Sequence, residues 1–118
     1  MKQTEDDIQA ACIQAFAFIY PQLWESKRLH SIPNGGKRSI KTAVRMKKTG
    51  QVAGVWDLHL TLPFGKYSGL WIEMKAGKNK LTSEQIAFRE AHEAFYAFEV
   101  CRSVDEFLQA LHRYFTQQ

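Results

Sequence analysis

Trp56-Asp57-Leu58-His59-Leu60-Thr61-Leu62 and Leu70-Trp71-Ile72-Glu73-Met74-Lys75-Ala76 both alternate apolar and polar residues with a period of two, the pattern of half-buried strands. Leu58, Leu60 and Leu62 share one face of the first, as Leu70, Ile72 and Met74 do in the second. Asp57, Glu73 and Lys75 fall on the opposite faces. Pro63-Phe64-Gly65-Lys66-Tyr67-Ser68-Gly69 between them is rich in turn residues, so the strands can fold back side by side as an antiparallel pair. Two acids and a lysine then converge.

Outward from this pair, Thr4 can cap a first helix whose opening turn is Glu5-Asp6-Asp7, with Ile8, Cys12, Ala15, Phe16 and Ile19 at helical spacing. Pro21 stops it. Residues 28–32 form a short strand, Pro33-Asn34-Gly35-Gly36 marks a tight turn, and Ser39 caps a basic helix that runs to Gly50. Beyond the strand pair, Thr82 and Gln85 fit a capping box with Leu81 and Ile86 as its staple. The helix they open, over 82–95, is a crossover to a parallel strand at 97–101. Ser103 and Glu106 form a second capping box ahead of the stripe Val104, Phe107, Leu108, Leu111 and Phe115. The order implies an α/β fold, a mixed sheet with helices packed against it.

The chain has 118 residues and is 45% hydrophobic, enough for one domain with its own core. Cys12 lies on the first helix's apolar stripe and Cys101 ends a strand, so both read as reduced core thiols. No apolar signal segment opens the chain, and nothing approaches the ~18 apolar residues of a membrane span. A soluble, cytoplasmic protein is expected. The net charge is +4, and it is segregated: residues 26–56 hold eight Lys or Arg and no acid, while the rest holds eight basic and twelve acidic residues. A phosphate-rich partner complements such a stretch, although a solvated basic surface explains it too. Lys37, Arg38, Lys41 and Arg45 follow helical steps and make the best phosphate-binding group, with Asn34, Gly35 and Gly36 able to offer backbone amides beside them.

Phosphodiester hydrolysis needs an activated water, stabilised phosphoryl charge and help for the departing oxyanion, and a divalent ion on carboxylates serves all three. Asp57 and Glu73 are hard oxygen ligands suited to Mg2+, with Mn2+ as a substitute. The Met74 carbonyl can add an oxygen, and Lys75 can orient the water or stabilise negative charge. A plain cross-strand ion pair on a solvated face accounts for the same alternation. His59 shares the polar face but reads as a hydrogen-bonded or surface histidine. No zinc spacing, nucleotide-binding glycine loop or serine elbow is present.

From Ile32-Pro33-Asn34-Gly35-Gly36-Lys37-Arg38 through Gly54-Val55-Trp56-Asp57-Leu58 and Trp71-Ile72-Glu73-Met74-Lys75-Ala76-Gly77 to Leu81-Thr82-Ser83-Glu84-Gln85, the chain resembles the virus-type replication-repair nuclease (VRR-NUC) family of the PD-(D/E)xK nucleases. The likeness runs from Glu5 nearly to the C-terminus. It implies a single VRR-NUC domain over 1–118 with a restriction-endonuclease-like core. Asp57 and Glu73 match the metal-binding acids, Lys75 the catalytic lysine, Gln85 a glutamine supporting the site, and Glu5 an acid on the first helix that approaches the metal. On spacing alone Gln85 is explained by its capping box, and Glu5 by the positive end of a helix dipole. Trp56 stands where the family commonly has proline, which questions the local backbone shape. The resemblance further implies a magnesium-dependent DNA endonuclease acting on branched DNA such as Holliday junctions, as a homodimer. Flap or linear-end cleavage, or DNA binding without catalysis, are the alternatives.

Overall fold

The computed structural model describes residues 3–33 and 39–117. The expected DNA contacts Asn34, Gly35, Gly36, Lys37 and Arg38 lie outside the described residues. The elements run α1 (Glu5–Ile19), α2 (Pro21–Glu25), β1 (Leu29–Ser31), α3 (Ile40–Lys48), β2 (Leu58–Leu60), β3 (Gly69–Met74), α4 (Ser83–His92), β4 (Tyr96–Cys101) and α5 (Val104–Thr116). The strands form one sheet in the order β1-β2-β3-β4. β2 is antiparallel to β1 and to β3, with Leu58 opposite Ile72, while β3 and β4 are parallel with Glu73 opposite Val100. The expected antiparallel pair followed by a parallel strand is therefore present.

Alternation decides what each sheet face meets. Leu29, Leu58, Leu60, Leu70, Ile72, Met74 and Cys101 pack with Ile8, Cys12 and Phe16 of α1 and Phe107, Ala110, Leu111 and Tyr114 of α5 in the main core. Both cysteines are free and buried there, and burial pushes their thiols up to about 11 and about 12. The other face carries a row of rings across the strands, His30, His59, Trp71 and Phe98 in register. Phe88 of α4 closes over Trp71 and Phe98, at 5.1 and 6.0 Å between centroids. Helices thus cover both faces, with α4 on the side where Glu73 and Lys75 project. Gly69 must lack a side chain: a Cβ there would stand 2.8 Å from the Leu60 carbonyl oxygen and 3.2 Å from His59 Nε2.

One expectation is extended and one needs correction. Pro21 does end the first helix, but it also opens α2 from its first turn, because its fixed φ and missing N–H suit that position. Ser103 caps α5 by accepting from the Glu106 N–H, yet the second capping box is not closed. The Glu106 carboxylate turns outward to the Arg102 N–H at 2.9 Å instead, so one of the two reciprocal bonds is missing. The remaining caps, Thr4 with Asp7, Thr82 with Gln85 and Ser39 on α3, form as read. Among the described residues no helix is long and apolar enough to cross a membrane.

Candidate active site

Asp57 and Glu73 are tied to each other through the backbone. The Asp57 N–H donates to Glu73 Oε1 at 3.2 Å, and the Met74 N–H donates to Asp57 Oδ2 at 2.9 Å. Asp57 stands one residue before β2, and its carbonyl accepts the Ile32 N–H at 2.8 Å, which keeps that segment extended beside the end of β1. The sheet register therefore sets the spacing of the two carboxylates. N–H and C=O of one strand residue face the same edge, so the Met74 carbonyl is turned toward the Asp57 side, while Lys75 N–H donates to the Cys101 carbonyl on the other.

Glu73 is 2% exposed and Lys75 6%, which removes the solvated-face explanation. Lys75 Nζ lies 3.5 Å from Glu73 Oε2. The same oxygen accepts from Gln85 Nε2 at 2.8 Å, while Gln85 Oε1 takes the Thr82 N–H at 2.9 Å. One amide thus closes the α4 capping box and points its NH2 at the acid, so the two readings of Gln85 coexist. Burial, then the neighbouring Asp57, push Glu73 up to about 7 against the pull of Lys75. Asp57 is raised too, by burial foremost, with the Met74 N–H opposing. Glu5 adds to that rise from the first turn of α1. Its carboxylate accepts from Asn79 Nδ2 at 3.2 Å and, weakly, from the Ala76 N–H at 3.5 Å, tying the loop after β3 to α1.

Asp57, Glu73, Lys75, Gln85 and Glu5 all line one concavity of about 550 Å³, which Ser31, Ile32 and Pro33 border on the β1 side. Lys41 and Arg45 are exposed on α3, four residues apart on a helix with no buried residue. Neither makes an ion pair among the described residues. His59 is not drawn to the carboxylates: its ring stacks on Trp71, 3.9 Å between centroids and 8° between planes.

Sequence reasoning missed the part played by Trp56. It is fully buried, packs edge-on against Phe98 at 4.9 Å, and donates Nε1–H to the Gln85 carbonyl at 2.9 Å. Gly54 makes this possible from the other side, since at φ +93° a Cβ would meet the Glu84 carbonyl oxygen at 2.7 Å. The segment entering Asp57 is thereby fixed to the first turn of α4. A buried tryptophan beside an acid was the available signal.

No protein-family profile matches the chain, and no curated protein matches it either. Among solved structures, one described as "VRR_NUC domain protein" is similar, with a TM-score of 0.78 and 24% identity, covering 97% of this chain and 89% of that one. The mixed four-stranded sheet flanked by helices is thus the fold of a VRR_NUC domain protein.

Proposed function

We propose that the chain is a VRR-NUC nuclease, a metal-dependent phosphodiester hydrolase acting on DNA, built on a single restriction-endonuclease-like domain. The observation that carries this is a carboxylate pair, the half-buried Asp57 and the buried Glu73, with the buried Lys75 and an orienting Gln85 lining the same concavity. A divalent cation fits the donor set. Two carboxylates raised foremost by burial, Glu73 further by Asp57 and Asp57 further by Glu5, are stabilised by a positive charge between them. Among the described residues no three His, Cys, Asp or Glu side chains could hold a metal by themselves, and Mg2+ commonly takes one or two carboxylates and keeps several waters. Asp57 and Glu73 would hold it, with the Met74 carbonyl beside them and Glu5 lining the same concavity.

When bound, such an ion polarises the phosphoryl group and lowers the pKa of a water. Gln85 holds Glu73 in one rotamer, so its free lone pairs keep a fixed direction. Lys75, a donor-only group at 3.5 Å from Glu73, can hold the attacking water or meet charge developing on the phosphoryl oxygens. The water oxygen bonds to phosphorus as the bond to the departing sugar oxygen breaks. Lys41 and Arg45 supply exposed positive charge for the duplex backbone. Branched DNA such as a Holliday junction is the proposed substrate, with two copies pairing to place cuts symmetrically.

Labelled four-way junction, flap, single strand and linear duplex, each incubated with Mg2+ and with Lys75→Ala as control, test this reading. Junction cleavage lost in the variant, with binding retained and weakening as salt rises, is expected. Equal cutting of all four sinks the branched preference, and cutting that survives Lys75→Ala sinks the site.

A further inference from the structure

A second concavity, of about 740 Å³, opens at the edge of the sheet and is lined by Trp24, Glu25, Lys27, Leu29, His30 and Ser31. Its walls combine the apolar Trp24 and Leu29 with Glu25, Lys27, His30 and Ser31, and it lies at the start of the acid-free basic stretch of residues 26–56. Trp24 is 39% exposed, an unusual position for the largest apolar side chain, and His30 is exposed beside it. An exposed indole with a cation next to it is the arrangement that stacks a nucleobase and holds its phosphate.

The lysine is held there against local preference. The Lys27 N–H donates to the Trp24 carbonyl and the Arg28 N–H to the Leu23 carbonyl, the paired bonds of a Schellman C-cap. That motif places Lys27 at φ +62°, a left-handed conformation where glycine is the favoured residue. The strained turn also directs the Lys27 carbonyl to His30 Nδ1, 3.2 Å away. Glycine would relax the backbone and remove the charge, so the lysine's side chain is the feature gained.

The pocket also adjoins the site described above. Ser31 borders both concavities. The Ile32 N–H bonds to the Asp57 carbonyl, and His30 lies two residues back along the extended chain, about 7 Å at strand rise. That is roughly twice the 3.4 Å rise per nucleotide of a B-form strand. A strand bound at Asp57 and Glu73 reaches this corner within a few nucleotides. We propose that the Trp24–Lys27–His30 corner is a subsite for an unpaired nucleotide of the strand held at the carboxylate pair, its base stacked on Trp24 and its phosphate paired with Lys27. The inference rests on the nuclease reading for the identity of that strand.

The test uses the full chain in EDTA, so that binding is read without cleavage. An oligothymidylate of about ten nucleotides, within the usual single-strand site sizes, and a blunt duplex are titrated while tryptophan emission is followed. Of the three tryptophans, Trp56 is buried, Trp71 is half-buried under the His59 ring, and Trp24 is the exposed indole. The oligothymidylate is expected to quench it, and Trp24→Ala to weaken that binding about tenfold while leaving duplex affinity unchanged. Because Trp24→Ala can disturb α2, Lys27→Gly is the second variant. It is expected to raise the melting temperature while weakening oligothymidylate and flattening its salt dependence by about one released counterion. Unaltered oligothymidylate binding in both variants overturns the subsite. So does emission that responds to protein concentration and not to DNA, which would mean that a second copy fills the pocket. Cleavage is scored separately. A chain that cuts DNA but binds it independently of Trp24 loses the subsite and keeps the nuclease; one that never cuts yet binds oligothymidylate through Trp24 loses the nuclease and keeps the nucleotide pocket.

Discussion

Gln85 reaches Glu73 with one end of its amide and closes the first turn of α4 with the other: Nε2 donates to Glu73 Oε2 at 2.8 Å, and Oε1 accepts from Thr82 N–H at 2.9 Å. Helix capping and site geometry therefore share one side chain. Substituting it perturbs both, but different substitutions separate them.

Gln85→Ala removes both bonds. It is expected to lower stability by about 1 kcal/mol through the lost cap and to reduce metal affinity or turnover by roughly 10- to 100-fold through the freed Glu73. Gln85→Glu can still accept the Thr82 N–H, so the cap survives, but it sets a third carboxylate against Glu73. Thermal melts and calorimetric Mg2+ titrations on the two variants should diverge: near-normal helix stability with disturbed metal binding for Glu, and loss of both for Ala. Equal metal affinity in wild type and Gln85→Ala would remove Gln85 from the site.

In the absence of a cation, burial and then repulsion from Asp57 push Glu73 up to about 7. An acid whose folded pKa is raised favours folding below its unfolded value, and that favour is lost as pH rises from about 4.5 to about 7. Asp57→Asn keeps an oxygen for the Met74 N–H and lets its NH2 donate to Glu73. The metal-free variant should therefore be more stable than the parent at pH 8, by on the order of 1 kcal/mol after allowance for screening. The parent should gain melting temperature with Mg2+ by mass action, and the variant should gain little. A variant less stable than the parent at pH 8 without metal would show that the repulsion is absent.

The strand pair was legible because alternation in Leu58-His59-Leu60 and Leu70 to Met74 fixes register and face together, and register alone brings Asp57 to Glu73. The caps at Thr4, Ser39 and Thr82 were legible because they are local. What the alternation could not show was depth. Glu73 and Lys75 occupy polar positions but are covered by α4, and whether a crossover helix lies over a given pair depends on contacts such as Trp71 with Phe88, 17 residues apart in sequence. The Trp56 bond to the Gln85 carbonyl spans 29 residues and has no periodic signature. Ser103 with Glu106 shows the opposite failure: a correct local motif left half-closed because Arg102 N–H competes for the same carboxylate.

His59 makes the remaining prediction, about pH. Its ring is stacked on Trp71, its Nε2 is buried without a hydrogen-bond partner among the described residues, and burial, then repulsion from His30, lower its pKa to about 4. A histidine whose folded pKa falls below its unfolded value of about 6.5 binds fewer protons folded than unfolded between those limits. Its contribution is thus fully present above pH 6.5 and is lost as pH falls toward 4. With His59 only partly buried, the loss after allowance for screening is on the order of 2 kcal/mol. The carboxylate pair changes stability in the opposite direction over nearly the same range, so the parent should show a shallow profile that hides both. In Asp57→Asn, with the repulsion weakened, the acid side should steepen. Chemical denaturation of that variant between pH 7 and pH 4, alongside NMR titration of the His59 ring, separates the two. A ring that titrates near 6.5 in the folded state would mean that solvent reaches Nε2, and the stack on Trp71 would then carry no pH dependence.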